Sequence, residues 1–261
     1  MSAGTRTALF TSRPELTAIV QARSDEYGIP VVNRMDEADY CLILENHPSG
    51  AGYLCCLQQI GSDAPGSVHV DFTKGKVAHR RLYGGGRKQP LARAVGVKPG
   101  ISPSVIDATA GLGRDGFVLA CMGCQVTMLE RNPVIFELLS NGLQRAGTDP
   151  EVGDIVNRQI SLIHADAIDY LGNIDPQSIP DTIYLDPMYP AREKSALVKK
   201  EMRYFHDIAG NDGDSGRLLA AAMRCKPKRI VVKRPGVAAH LDNRVPATSI
   251  TSKNTRYDIY L

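Results

Sequence analysis

Five consecutive residues, Asp186-Pro187-Met188-Tyr189-Pro190, place a carboxylate, two ring-constrained positions and an aromatic side chain after the apolar run Thr182-Ile-Tyr-Leu185. That combination suits chemistry on an amino group attached to an aromatic ring. The lone pair of such an amine is delocalised into the ring, so the amine is a poor nucleophile. Acceptors on its N–H groups localise the lone pair toward an electrophile. The Asp186 carboxylate and the Pro187 carbonyl are the candidate acceptors. Proline fixes its own φ and so holds that backbone in place. Tyr189 can stack on a base, a contact worth ~1–3 kcal/mol. Catalysis of this kind is mainly orientation plus electrostatic preorganisation. No strong general base is required, because the proton can leave once the amine has become cationic.

A second cluster lies about 75 residues upstream, in Asp107-Ala108-Thr-Ala-Gly111-Leu-Gly113-Arg114-Asp115-Gly116. It follows a strand-like run and opens a helix-like one. Its glycines let the chain turn sharply and approach a ligand closely. Asp107 and Asp115 suit a cationic ligand such as the aminoacyl end of S-adenosylmethionine. The spacing of Gly111, Gly113 and Gly116 also fits the dinucleotide fingerprint. Glu130, at the end of the next strand-like run, leaves that choice open, since an acid there binds ribose hydroxyls in either class. The Asp186–Tyr189 segment tips the balance. It resembles the (Asp/Asn/Ser)-Pro-Pro-(Tyr/Phe) motif of methyltransferases acting on exocyclic or side-chain amino groups, with Met188 in place of the second proline.

Other reactive residue types form no constellation. Cys121-Met-Gly-Cys124 is a lone CxxC without a second pair or a His pair, so no metal is expected there. It falls late in a predicted helix, away from the helix start that stabilises thiolates, and packing is the expected role of all six cysteines. His47, His164, His206 and His240 are scattered, with no Ser, Cys or paired carboxylate in a catalytic pattern.

Both clusters need strand ends to position them, and the pattern supplies these. Predicted strands at 104–109, 125–130, 160–164, 182–186 and 229–233 alternate with helices at 114–122, 133–145, 167–172, 196–208 and 217–224. Pro133 opens one of those helices at its first turn. Such alternation calls for a parallel, doubly wound sheet with helices on both faces, whose ligand lies beyond the carboxyl ends of the strands. Strand-like runs at 247–252 and 256–261, joined by Lys253-Asn254-Thr255, predict a terminal antiparallel hairpin. The expectation is therefore an α/β, Rossmann-like class I methyltransferase fold: a seven-stranded, mostly parallel sheet ending in a C-terminal antiparallel hairpin. Residues 1–73 form a predicted small N-terminal α/β domain, with a strand at 7–12, a helix from Pro14 to Tyr27 ended by Gly28, and apolar segments at 39–45, 53–60 and 68–73. Residues 74–261 form the predicted methyltransferase domain.

The 261 residues, 43% hydrophobic with a formal net charge of +3, suffice for one large domain and a smaller one. No apolar run approaches the roughly 20 residues of a membrane span, and the N-terminus does not read as a secretory signal. A cytoplasmic protein is expected. Its charge is uneven. Residues 1–70 carry four Lys/Arg against eight Asp/Glu, whereas residues 74–98 carry eight Lys/Arg and no acid. A second acid-free basic stretch runs from Arg224 to Arg234. Such clusters attract polyanions, and Arg80, Arg81, Arg87 and Lys88, interleaved with Tyr83 and the Gly84–Gly86 run, are candidate RNA contacts.

Four strings together carry a family resemblance: Asp107–Asp115, Tyr184–Pro190, Lys194-Ser-Ala-Leu-Val-Lys-Lys-Glu-Met202 and Val231-Val-Lys-Arg-Pro235. The chain resembles the bacterial small-subunit rRNA guanine-N2 methyltransferase family RsmJ, most firmly over residues 70–261. The resemblance implies S-adenosylmethionine as methyl donor. It implies as acceptor the N2 amino group of a guanosine near the 3′ end of 16S rRNA, the family site being guanosine 1516, reached in naked rRNA or in the small ribosomal subunit. It also implies cofactor contacts at Arg114 and Asp115, at Glu130 and Arg131, at Asp166 and Ala167, and at Asp186. Relatives often carry small hydroxyl residues where Asp166 stands, and an Asp there suits the adenine amino group. Lys194, Lys199, Lys200 and Arg203 are phosphate contacts or a solvated helix face. Amine methylation of DNA or of a protein glutamine is the nearest alternative, and nicotinamide-dependent oxidoreduction or non-catalytic RNA binding are alternatives from other classes. Binding of adenosylhomocysteine rather than NADH separates the first two classes.

Overall fold

Short runs that alternate two kinds of side chain build the larger sheet. The computed structural model describes residues 6–48, 50, 52–62, 64, 66–188, 208 and 213–261. Two compact units divide them, one of residues 6–70 with 132–144 and 208, the other of residues 71–131, 145–188 and 213–261.

In the larger unit, strands β4 (Val105–Asp107), β5 (Val126–Glu130), β6 (Ile160–His164), β7 (Thr182–Leu185) and β8 (Arg229–Pro235) run parallel. β9 (Thr248–Thr251) and β10 (Thr255–Tyr260) form the antiparallel hairpin, and β10 pairs antiparallel with β8. The order β6-β5-β4-β7-β8-β10-β9 is the seven-stranded arrangement expected for a class I methyltransferase. The chain moves from β4 outward to β6 and then returns to the other side of β4 with β7. That reversal opens a crevice at the carboxyl ends of β4 and β7, the place where open α/β sheets hold their ligands.

Successive strand residues point to opposite faces, and the two faces differ in character. Ile106, Ile183, Leu185, Ile230 and Val232 share one face and pack with Leu171, Leu218, Leu219 and Ala222. The last four lie on α7 (Ala167–Gly172) and α8 (Ser215–Cys225). Burying each Leu or Ile there contributes about 1.5–3 kcal/mol. The opposite face, by the same alternation and the observed register, carries Asp107, Tyr184 and Lys233, with Tyr257 opposite Lys233. Helix α4 (Arg114–Ala120) covers that face. An added Cβ at Gly116 would stand 2.5 Å from Met128 Cε and 3.2 Å from Asp107 Oδ2, so a larger residue there would make the end of Met128 shift and crowd Asp107.

The smaller unit holds β1 (Thr7–Phe10), β2 (Tyr40–Asn46) and β3 (Tyr53–Gln59) in that order, β1 parallel and β3 antiparallel to β2. Helix α1 (Thr17–Tyr27) ends at Gly28 in the left-handed conformation. Helix α5 (Pro133–Gly147) supplies the residues that finish the edge of β3. Asn141 accepts from Cys55 N at 3.0 Å and donates to Tyr53 O at 3.0 Å, doing with a side-chain amide what a fourth strand would do with backbone. Glu137, fully buried, accepts from Tyr53 Oη at 2.9 Å and pairs with Arg23 Nε at 2.9 Å.

Several boundaries differ from expectation. The predicted strand at 104–109 contracts to three residues and the one at 7–12 ends at Phe10. The helix from Pro14 begins as a 3₁₀ turn over Pro14–Leu16. The apolar run 68–73 forms no strand and contributes one bridge, Leu57 to Val68. The basic stretch 74–98 folds into α2 (Gly75–Tyr83) and α3 (Pro90–Val95), joined by a 3₁₀ turn at Gly86–Lys88. Helix α6 (Gly153–Gln159) had no counterpart in the sequence pattern. The predicted helix 196–208 lies outside the described residues except for Ile208.

Candidate active site

Asp107 is the last residue of β4, and Asp186 follows the last residue of β7, so the parallel pairing of these neighbouring strands brings both to one crevice. The turn after β4 is held from three sides. Ala108 N donates to Tyr184 O at 2.9 Å, Ala110 N to Leu129 O at 3.0 Å, and Gly111 N to Glu130 Oε2 at 2.9 Å. Gly111 and Gly113 have φ of +53° and +69°, the left-handed region that glycine enters at no steric cost. Gly113 then caps α4, and Asp115 falls in that helix's first turn.

Asp115 is the hub of the polar face. Tyr184 Oη donates to its Oδ2 at 2.7 Å, Lys233 Nζ donates to the same oxygen at 2.8 Å, and the Arg80 guanidinium donates to Oδ1. Burial alone would raise this carboxyl, but the Lys233 ammonium and the Arg80 guanidinium hold it well below the usual carboxylate range. Burial, reinforced by Asp115, lifts the Tyr184 hydroxyl far above its ordinary value, so it stays a donor. Lys233 Nζ also donates to Asp186 Oδ2 at 2.7 Å. Burial would lower the Lys233 ammonium, but Asp186 and Asp115 beside it raise it, and it remains charged. Asp186 N donates to Thr109 Oγ1 at 2.6 Å, tying the start of the Asp-Pro-Met segment to the glycine turn.

Asp107 behaves differently. It is 1% exposed, and burial followed by repulsion from Asp115 pushes its carboxyl up to about 8. Glu130 is likewise buried at the end of β5. Arg131, next in sequence, directs its guanidinium to Asp214 at 2.6 Å and to Asp166 at 3.4 Å. Asp166 also caps α7, accepting from Ile168 N at 2.8 Å. One of its oxygens is thus committed to the backbone, which restricts what it offers an adenine. An open cavity of about 420 Å³ lies beside it, lined by Ala165, Asp166, Asp169, Tyr170 and Ile174 among others.

Comparison with known proteins decides what this arrangement belongs to. The SAM_MT family model, a family of SAM-dependent methyltransferases, matches residues 27–261. The ribosomal RNA small subunit methyltransferase J of Tolumonas auensis is 47% identical over 249 residues, covering 95% of each chain. Its Pseudomonas fluorescens namesake is 53% identical over 204 residues, covering 78% of each. The chain belongs to the ribosomal RNA small subunit methyltransferase J family. A crystal structure of a SAM-dependent methyltransferase from Neisseria gonorrhoeae, 35% identical, superposes with a TM-score of 0.74 over 98% of this chain and 95% of that one.

The methyl donor of this methyltransferase J member is therefore S-adenosylmethionine, and the nicotinamide alternative falls away. The residues present fit that molecule. Asp107 and Glu130 place carboxyl groups at the ends of β4 and β5, where a ligand carrying an ammonium and a ribose diol would lie, whereas the expected cofactor contact Asp115 has both oxygens engaged by Arg80, Tyr184 and Lys233. Gly116 lets α4 lie close above Asp107, whose Oδ2 is 3.2 Å from where a Cβ would stand.

Of the sequence-derived site residues, Asp107, Ala108, Gly111, Gly113, Asp115, Glu130 and Asp186 converge on the crevice. Arg114 opens α4, and Ala167 opens α7 and is buried. Pro187 and Met188 follow Asp186 outside any strand, and Tyr189, Lys194, Lys199, Lys200 and Arg203 lie outside the described residues. Arg80 and Arg81 are engaged within the unit, Arg80 with Asp115 and Arg81 with Glu151 at 2.7 Å, whereas Arg87 and Lys88 are exposed. Lys233, Tyr184 and Thr109 join the site without having been singled out. Tyr184 and Lys233 lie within the resembling strings, and a Lys or Tyr on the alternating face of a buried strand is the signal that marks them. Among the described residues no three His, Cys, Asp or Glu side chains group as a metal site. The Cys121 and Cys124 thiols are raised to about 11 by burial, as packing groups are.

Proposed function

We propose that the protein methylates small-subunit ribosomal RNA, transferring the methyl group of S-adenosylmethionine to the exocyclic N2 amino group of a guanosine near the 3′ end of 16S rRNA, in the cytoplasm. The observation that carries the reading is Asp186: a carboxylate at the carboxyl end of β7, bonded to the Lys233 ammonium and fixed through its own N–H to Thr109. When bound, the cofactor supplies an electrophilic methyl group.

The chain's own residues do the rest. Asp186 and the Pro187 carbonyl accept from the two N–H groups of the guanine amine and turn its lone pair toward the crevice. Lys233 keeps Asp186 an acceptor rather than a donor. The proton leaves after the amine becomes cationic, and Asp186 lies in position to receive it. Tyr189 stacks on the base once it is turned out of its helix, the step that most enzymes acting on a base require. Exposed Arg87 and Lys88 meet phosphates. The names carried by the relatives support ribosomal RNA as the acceptor class.

The test is transfer of labelled methyl groups from S-adenosylmethionine to 16S rRNA and to small subunits that lack the modification, followed by nucleoside digestion. The expected product is N2-methylguanosine at a single site. Label in a different nucleoside, or in ribosomal protein, would overturn the acceptor assignment.

A further inference from the structure

We infer that Lys233 is a positioning residue for the transfer: its ammonium, clamped between Asp115 and Asp186, holds the Asp186 carboxylate in the charge state and orientation that the acceptor amine needs. The inference rests on the amine-methylation reading of the site.

Strand register places Lys233 there. Its position on β8 alternates with the apolar Val232, putting its stem on the polar face, opposite Tyr257 of β10 and beside β7. The Nζ atom makes two short bonds, 2.8 Å to Asp115 Oδ2 and 2.7 Å to Asp186 Oδ2. The two partners differ in need. Asp115 is nearly enclosed and already receives Arg80 and the Tyr184 hydroxyl. Asp186 is 37% exposed and does not require a buried counter-ion for solvation. A lysine bridging to it from a mostly buried stem therefore does something for Asp186 beyond neutralising Asp115. It takes up one carboxylate oxygen and fixes the plane of the other. A compact ammonium with three rotatable donors serves two carboxylates at these distances from a single atom, whereas the longer, planar guanidinium fork of arginine would meet them with a different geometry.

Among the described residues, the charged and titratable groups facing Lys233 are Asp115 on α4, Asp186 after β7, Asp107 at the end of β4, Tyr184 on β7, Tyr257 on β10 and Arg80 on α2. Asp115 is the anion that shares the Lys233 ammonium with Asp186. Among the described residues Lys233 is a cation in direct contact with Asp186, at 2.7 Å, so removing it takes away a positive charge that stands between Asp186 and Asp115.

The experiment compares wild type, Lys233→Met and Lys233→Arg. The first readout needs no activity: carboxyl carbon resonances of labelled aspartate, with the Asp186 signal assigned by its loss in Asp186→Asn. The Asp186 carboxyl is expected to titrate at least one pH unit higher in Lys233→Met than in wild type or Lys233→Arg. The second is kinetic. In Lys233→Met kcat is expected to fall about a hundredfold, the cost of misplacing a catalytic group by about 1 Å, while KM for RNA stays within about threefold. Lys233→Arg, which keeps the charge and loses the bridge geometry, is expected to keep the wild-type titration and lose about tenfold in kcat. An unchanged Asp186 titration in Lys233→Met overturns the inference. If Lys233→Met fails to fold, wild-type kcat in Lys233→Arg overturns it. A wild-type protein that methylates no RNA would instead refute the acceptor assignment, and the carboxyl titration would still decide the clamp.

Discussion

Replacing Asp107 by Asn removes a proton that the folded protein holds and the unfolded chain does not. The Asp107 carboxyl is pushed up to about 8 from 3.8 by burial and by Asp115. Between those values the native state binds one more proton at this site than the unfolded state. Stability attributable to the site therefore falls as pH rises, by up to about 1.4 kcal/mol per unit. Asn has the same shape, can accept from Thr109 N at Oδ1 as Asp107 does at 3.3 Å, and does not titrate. The stability of Asp107→Asn relative to wild type should thus grow from about pH 5 upward and level off above about pH 8. Between pH 6 and pH 8 the gain is at most about 3 kcal/mol, or roughly 6–10 °C in melting temperature for a chain of this size. Thermal unfolding of both proteins at pH 6, 7, 8 and 9 measures it. Parallel curves across that range would refute the placement of a proton on Asp107.

Two further outcomes follow from the same geometry. Gly116→Ala drives a Cβ against Met128 Cε and Asp107 Oδ2; it should cost about 1–3 kcal/mol in urea unfolding, as overpacking does, and weaken adenosylhomocysteine binding measured by calorimetry, whereas wild-type values for both would show that α4 can lift without consequence. Arg87→Ala and Lys88→Ala should weaken binding to RNA of any sequence and each reduce the slope of log affinity against log salt by about 0.7–0.9; an unchanged slope would take these residues off the phosphate path.

The sequence pattern shows the carboxyl-edge chemistry because that chemistry is written locally. A glycine turn after β4 and a proline-fixed segment after β7 are contiguous strings, and their strand ends follow from alternation alone. The parallel sheet and the terminal hairpin follow from the alternation and spacing of those runs, whereas the strand order is set by the tertiary pairing. Lys233 stands out locally only as a charged residue in a buried strand; its role is not local, since its partners lie 47 and 118 positions away and meet it only when β8 settles beside β7. Arg80 is hidden for the converse reason. A run of eight basic residues with no acid reads as a surface for polyanions, and its pairing with Asp115 depends on α2 folding against α4. The helices of that stretch are obscured by Gly75 and the Gly84–Gly86 run, which depress helix propensity. Asn141 and Glu137 were invisible as edge caps because a helical period of 3.6 marks them only as interruptions in an apolar face.

The central claim is that the Asp186 carboxylate receives an N–H of the acceptor amine. Single-turnover methyl transfer to small-subunit RNA by wild type and Asp186→Ala, with the cofactor saturating in both, tests it most directly. The expected result is N2-methylguanosine as the wild-type product and a fall of about 10²–10³ in the transfer rate for the alanine variant, the usual cost of losing one preorganised electrostatic contact. A rate within about threefold of wild type in Asp186→Ala, with the same product, would contradict it.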